Sequence, residues 1–386
     1  MVLITALKVI SKPFKVCNDR PVIDNYLFQC HYKLTTNVLF TFCILVTANS
    51  LIGEPIECIS TFSKKPDIQK AINKYCWVSS TFTVVRPEDT VRFDPLHSVG
   101  QVDKKCIRRH SYYQWVPFML FLQAIAFYVP HWLWKIWEGG KIRMITEGMR
   151  GHHMDTVADR KTKINRLVQY CLYSRHTHNT YAYRYFLCEV FNMVIIFGNI
   201  YITNTFLGGT FLTYGLEILK YNQGHDIHSV DNSPMENVFP KITKCVFYKY
   251  GPSGSIQNND ALCILSQNNL NEKIYLFLWF WFIVIAILSN LALLYRFAYI
   301  TLSVIKRNQL VKMLKFTNNK YELTDLIKKL QIGDFLLLYF IGKNIHFMNF
   351  KILVEELSAQ VKLNTLTALP SLKEENSSKN MNLISI

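Results

Sequence analysis

Four cysteines carry the first chemical signal in this chain. Cys58 and Cys76 form one pair and Cys245 and Cys263 another, each pair 18 residues apart. In an oxidising compartment such residues form disulfides; in a reducing one they stay thiols or bind metal. The spacing is unlike the short C-x-x-C units that grip zinc, so a disulfide framework is expected and a metal is not. Four cysteines allow three pairings, and spacing does not choose among them. Cys106 stands between the pairs as an odd fifth. Cys43 and Cys188 lie in apolar stretches and read as small packing residues, while Cys17, Cys30 and Cys171 follow no pattern.

Other reactive groups are sparse. His152-His153 lacks further ligands at metal spacing. Glu189 is the one carboxylate placed within an apolar stretch, a costly placement that points to function; near the cytoplasmic end of its span it is equally open to interface hydration or to a hydrogen bond with a neighbouring helix. No nucleophile motif, phosphate loop or metal-ligand cluster is present, so neither an enzyme nor a cofactor is expected. The net charge of +16 raises nucleic acid as a partner. No zinc-finger or RRM motif supports that. The basic residues flank apolar runs instead, as they do at cytoplasmic membrane edges.

Those runs are the elements that must position the cysteines. The run at 111–134, SYYQWVPFMLFLQAIAFYVPHWLW, carries no Lys, Arg, Asp or Glu, and aromatics crowd both its ends. About 20 apolar residues span a bilayer core, with Trp and Tyr at the interfaces. Three further spans are expected at 34–52, 185–211 and 274–295. The mean hydropathy is only +0.11, so polar loops must separate them. The apolar run Phe335–Ile341 is too short to cross and reads as the buried face of a helix outside the membrane. Pro117 and Pro130 both fall inside the second span, where proline favours a kink.

An even number of spans places both termini on one side. The arm 1–33, the linker 135–184 and the tail 296–386 hold 28 of the 43 Lys and Arg, which assigns them to the cytoplasm. Loops 53–110 and 212–273, with the four paired cysteines, then face outward. Met1–Leu7 precedes Lys8 and Lys12, the reverse of a secretory signal, so no cleavage is expected. Within the arm, Leu3, Leu7, Ile10 and Phe14 recur at helical spacing and describe a short amphipathic helix. Phe239–Tyr250, then Gly251-Pro252-Ser253-Gly254, read as a strand and a tight reversal. Neither outer loop contains an N-x-S/T acceptor; Asn376 in the tail begins the only one, so no glycan need block the outer face. The linker 135–184 carries ten basic and four acidic residues, a solvated face that also suits anionic lipid. The expected fold is thus a mainly α membrane protein. Four transmembrane helices carry disulfide-stapled extracellular loops with short β-strands and a helical cytoplasmic domain.

Several blocks resemble one family in order along most of the chain. They are Gly53-Glu54-Pro55-Ile56-Glu57-Cys58, Tyr75-Cys76-Trp77-Val78, and Tyr112-Tyr113-Gln114-Trp115-Val116-Pro117. Phe127-Tyr128-Val129-Pro130, Trp137-Glu138-Gly139-Gly140, Tyr248–Ser255 and Phe277–Phe282 follow. The chain resembles the innexins, and closely their insect members. That resemblance implies a large-pore channel subunit at the plasma membrane. Subunits would assemble into a ring, eight to a ring as family members suggest, and rings from apposed cells, of the same or another innexin, would dock through the outer loops as a gap junction. It also implies the pairings Cys58–Cys263 and Cys76–Cys245, and an N-terminal helix in the pore mouth where Leu3, Leu7, Lys8 and Lys12 line the path. Cys106 and the proline-free stretch Leu265–Asn269 depart from the family pattern. The competing readings are a non-docking hemichannel, like the related pannexins, and a non-conducting four-span adhesion or scaffold protein.

Overall fold

The computed structural model describes residues 21–60, 66–84, 107–149, 157–222, 234–314 and 326–363. Leu3, Leu7, Lys8 and Lys12, the amphipathic arm they belong to, Cys17, Cys106 and His152-His153 lie outside the described residues. In chain order the helices are α1 (Tyr26–Ile52), α2 (Pro66–Ser79), α3 (Val116–Glu138), α4 (Lys141–Ile145), α5 (Val157–Tyr173) and α6 (Asn179–Phe206). Then come α7 (Phe211–Asn222), α8 (Pro234–Val238), α9 (Ser266–Thr301), α10 (Ser303–Leu314) and α11 (Ile332–Asn344). The strands are β1 (Glu57–Ile59), β2 (Thr81–Val84), β3 (Ile107–His110), β4 (Ile242–Tyr250) and β5 (Ile256–Ile264).

α1, α3, α6 and α9 are long and apolar enough to cross a membrane. Their bounds differ from those of the apolar runs, because hydrogen bonding continues past the hydrocarbon-like residues. α1 begins at Tyr26 rather than Leu34, with Cys30–Thr35 wound as a π-helix. α9 runs well beyond 274–295 at both ends. α6 stops at Phe206, where Gly208 and Gly209 take left-handed backbone (φ 71° and 88°) and the Gly209 N–H returns to the Asn204 carbonyl at 2.7 Å. Phe211, expected in that span, instead opens α7. Pro117 is also placed differently: α3 starts at Val116, so Pro117 occupies the first turn, where a missing N–H costs nothing. Pro130 alone is interior to the helix.

The chain forms two compact units. The first comprises Met1–Phe28, His131–Val190 and Leu291–Ile386; the second comprises Gln29–Pro130 and Phe191–Asn290. In the second unit polar side chains bridge the long helices. Gln123 Nε2 donates to Thr203 Oγ1 (2.7 Å), and Trp281 Nε1 donates to Thr35 Oγ1 (3.0 Å). His31 Nε2 and Ser289 Oγ lie 2.8 Å apart. Between apolar helices such bonds supply the specificity that burial does not. Gly215 on α7 lies under the Trp279 indole, where a Cβ would stand 2.2 Å from the ring. The same unit carries a five-stranded sheet, ordered β1-β5-β4-β2-β3 with every pairing antiparallel.

In the first unit α11 is buried along nearly its whole length, through Phe335, Leu336, Leu337, Phe340 and Ile341. Gly333 at its start abuts the chain before α6, so closely that a Cβ would meet the His178 carbonyl at 2.1 Å. Trp134 Nε1 donates to the Ile23 carbonyl (2.9 Å), and the Asn344 amide clamps both backbone polar groups of Val22.

Only 22 to 39% of each apolar window is buried. Phe118, Leu122, Val194 and Ile287 are each more than half exposed. Exposed apolar surface on this scale requires lipid or neighbouring subunits.

Candidate functional site

β4 and β5 form one hairpin, closed at Gly251-Pro252-Ser253-Gly254-Ser255. The Gly251 N–H donates to the Ser255 carbonyl (2.8 Å), and Gly254 takes φ 77°. Along β4, Thr243, Cys245 and Phe247 alternate inward, as half-buried antiparallel strands do. The strand starts at Ile242, later than the aromatic run beginning at Phe239; Phe239 is itself buried against Tyr275 (5.5 Å).

Two disulfides staple this sheet. Cys58 joins Cys263 (S–S 2.04 Å) and Cys76 joins Cys245 (S–S 2.01 Å). Cys58 and Cys263 are register partners on β1 and β5. The second bond ties α2 to β4. Sulfurs of Cys58, Cys76 and Cys263 lie within 4.8 Å of one another, but all three are consumed in disulfides and offer no thiolate to a metal. Around them pack Ile56, Ile72, Tyr113, Phe247, Ala261 and Leu265.

α2, a helix within loop 53–110, covers the β1 edge. The Cys58 N–H donates to Asn73 Oδ1 (3.1 Å), Gln69 Nε2 donates to the Cys58 carbonyl, and Ser60 Oγ donates to Gln69 Oε1 (3.0 Å). An open strand edge would otherwise offer these groups to another chain. The opposite edge, β3, carries exposed Arg108 and Arg109.

The Tyr112-Tyr113-Gln114 turn fastens helix α3 to this core. Tyr113 is fully buried, its ring 4.6 Å from Trp77 and its hydroxyl bonded to the Trp77 carbonyl (3.3 Å). Gln114 Nε2 donates to the Trp77 and Val78 carbonyls, capping the last turn of α2. Tyr112 donates to the Val238 carbonyl (3.1 Å). His110, one residue before the turn, is buried and bonded to Thr83 Oγ1 (2.8 Å). Burial, reinforced by the Arg108 charge, pushes its pKa down to about 4, so it is neutral at physiological pH.

Beyond Phe247 the hairpin leaves this packing. Tyr248, Tyr250 and Ile256 are each more than 60% exposed. They are exposed apolar side chains near the hairpin turn, interspersed with the exposed polar Lys249, Gln257 and Asn258, on a covalently braced base.

The first unit holds charge in a different way. Arg296 grips Glu189 with two bonds (Nε–Oε2 2.7 Å, Nη2–Oε1 2.5 Å), and Asn25 Nδ2 adds a third at 3.1 Å. Both side chains are mostly buried. The Arg296 guanidinium also lies over Tyr185, Phe186 and Tyr299. Of the readings open for Glu189, a bond to a neighbouring helix is the one the structure has, but its partner Arg296 looked like a mere flank of the fourth run. The rule that an acid inside a span needs a partner could have pointed to it. Near the α6 start, Asp334 accepts from His178 Nδ1 (3.1 Å) and the His176 N–H (2.9 Å), while His178 Nε2 meets the Tyr170 hydroxyl (3.2 Å). Burial would raise the Asp334 carboxyl, but the His178 and His176 bonds hold it below the usual value. Burial, then the Asp334 charge, pushes the Cys171 thiol up to about 12. Asp334 falls in Ile332-Gly333-Asp334-Phe335, a block similar to the innexin pattern, but nothing in the sequence tied it to His176, His178 or Tyr170.

Four candidate spans and a doubly stapled sheet define a multi-pass membrane protein of the four-helix type, and such an arrangement fits the plasma membrane. Residues 24–361 match the Innexin family model. The chain is 42% identical over 364 residues to Innexin inx3 of Drosophila melanogaster, covering 93% of this chain and 90% of the relative. It is 41% identical over 351 residues to Innexin inx2 of Schistocerca americana, covering 89% and 95%. To Innexin shaking-B of Drosophila melanogaster it is 36% identical over 360 residues, covering 91% and 94%. The chain belongs to the innexin family, whose members form gap-junction channels and are not enzymes.

Proposed function

We propose that this chain assembles into a ring in the plasma membrane and that the ring docks end to end with one on an adjacent cell. The joined pore passes ions and small molecules. The observation that carries this reading is the β4–β5 hairpin: its base is fixed by two disulfides, and Tyr248, Tyr250 and Ile256 stand exposed at its tip. A rigid base lets a partner bind without first ordering a loop, which lowers the entropic cost of association. The apolar helix surface left exposed suits lateral contacts within the ring as well as lipid. In this reading both termini and the linker 135–184 are cytoplasmic, loops 53–110 and 212–273 are extracellular, and Leu3, Leu7, Lys8 and Lys12 line the pore mouth.

The test is a Y248S/Y250S variant in paired cells. Docking through the hairpin requires junctional conductance to fall while dye uptake by single cells persists. Full coupling in that variant, with the protein at the surface, refutes docking through this tip. Deleting 2–12 checks the arm: altered conductance or charge selectivity is expected, and unchanged currents place the arm outside the pore.

A further inference from the structure

The start of α4, just past the end of α3, and the start of α6 carry cations that the channel reading does not use. Glu138 closes α3, and its carboxylate accepts from the N–H groups of Gly140 (2.7 Å) and Ile142 (2.6 Å). Gly139 and Gly140 supply the left-handed backbone that reverses the chain there (φ 61° and 77°). The reversal brings Lys141 over the Tyr181 ring at 5.4 Å. Arg184, a turn along α6, lies over the Trp137 ring at 5.9 Å. Glu138 is occupied by backbone donors, and among the described residues neither Lys141 nor Arg184 has a carboxylate within ion-pairing distance. Two positioned cations therefore stand beside two aromatic rings, and among the described residues neither is ion-paired to a carboxylate.

Their surroundings indicate what anion fits. On α3 and α6, which carry its two rings, Trp132, Ile136 and Leu187 are each more than half exposed. Basic heads flanked by Trp and Tyr, with bare apolar side chains next along the same helices, match a phospholipid: a phosphate for the cations and acyl chains for the apolar face. A soluble anion would use the cations and leave Trp132, Ile136 and Leu187 in water. The net charge of +16 adds long-range attraction to an anionic leaflet.

We infer that Lys141 and Arg184, braced by Tyr181 and Trp137, form a binding site for the headgroup of an anionic phospholipid at the inner membrane edge. This goes beyond the docking reading and rests on it only for the side of the membrane. The site links the linker 135–184 to lipid composition, so the composition of the inner leaflet bears directly on the turn that joins α3 to α4.

The test uses the full chain reconstituted in phosphatidylcholine vesicles with or without phosphatidylserine. Phosphatidylserine retained after re-extraction is counted by native mass spectrometry. Each basic residue at an anionic surface contributes about fivefold in affinity, so K141Q/R184Q is expected to bind roughly 25-fold more weakly. The charge-preserving K141R/R184K should restore retention, which separates loss of charge from misfolding. Retention equal in wild type and K141Q/R184Q overturns the site. So does displacement of the lipid by soluble glycerophosphoserine at equal concentration, because that assigns the site to a free anion. The side of the membrane is read separately, by labelling an R143C variant that also carries C106S, against C106S alone, in intact cells with an impermeant maleimide. Labelling from outside would sink the topology and leave the lipid result standing.

Discussion

Among the described residues, disulfides fasten the sheet unit and none fastens the unit containing Glu189 and Asp334. The sheet is stapled by Cys58–Cys263 and Cys76–Cys245, and His110, kept neutral by burial, bonds Thr83; the same unit also carries ionic ties, buried Glu272 pairing with Lys241 (3.1 Å) and Lys273 (2.8 Å). The other unit is held by Arg296–Glu189, by His178–Asp334 and by edge-on aromatic contacts around Trp134 and Tyr185. Covalent ties respond to neither salt nor ordinary pH, whereas ionic and hydrogen-bonded ties exchange on demand. If the sheet docks as proposed, its disulfides give that face a shape that neither salt nor ordinary pH alters.

The comparison can be broken from either side. The largest effect is expected at the ionic end. Arg296→Ala leaves Glu189 buried without its partner and should cost about 3–5 kcal/mol, read as a fall in the melting temperature of detergent-purified protein. Replacing both members, as in E189M/R296M, should recover most of it. Next is Cys58→Ser, which opens a bond between residues 205 apart in sequence. We expect a loss of about 2–5 kcal/mol and the abolition of coupling; full junctional conductance in that variant would show the staple to be dispensable. Acid should weaken the sheet through His110. Its folded pKa is depressed from 6.5 to about 4, so below 6.5 the unfolded chain binds the proton first. Stability should hold above pH 6.5 and fall toward pH 4, by at most about 1.4 kcal/mol per pH unit. His110→Gln should flatten that slope in a pH series of melts. The smallest effect is expected for Gln114→Ala, which uncaps α2 at a cost of about 1 kcal/mol and should appear as faster amide exchange at the end of that helix.

What could be read in advance depended on how local its cause was. The four apolar runs were visible because hydropathy is a property of adjacent residues, and the hairpin was visible because Gly251-Pro252-Ser253-Gly254 punctuates a β-rich stretch. Helix bounds were less legible, since α1 and α9 extend through polar residues that only hydrogen bonding recruits. Pro117 looked interior because the aromatic run begins before the helix does. α2 was hidden: its sequence PDIQKAINKYCWVS is short and mixed, and tertiary bonds from Gln69 and Asn73 to Cys58 help to hold it. Contacts across the chain were the least legible. Arg296 stands 107 positions from Glu189, and Asp334 stands 156 from His178. The cysteine spacing left three pairings open. The pairs Cys58–Cys263 and Cys76–Cys245 came from the family resemblance, and the register of β1 on β5 is what sets the first pair face to face.

The central claim is that two rings of this chain meet through the stapled sheet. Its most direct test is junctional conductance between paired cells that express this chain and no other innexin, with surface protein and single-cell dye uptake measured in parallel. The account predicts conductance between the pairs that is lost on mild extracellular reduction of the disulfides. Cells that carry the protein at the surface and take up dye, yet show no conductance in any pairing, would contradict it.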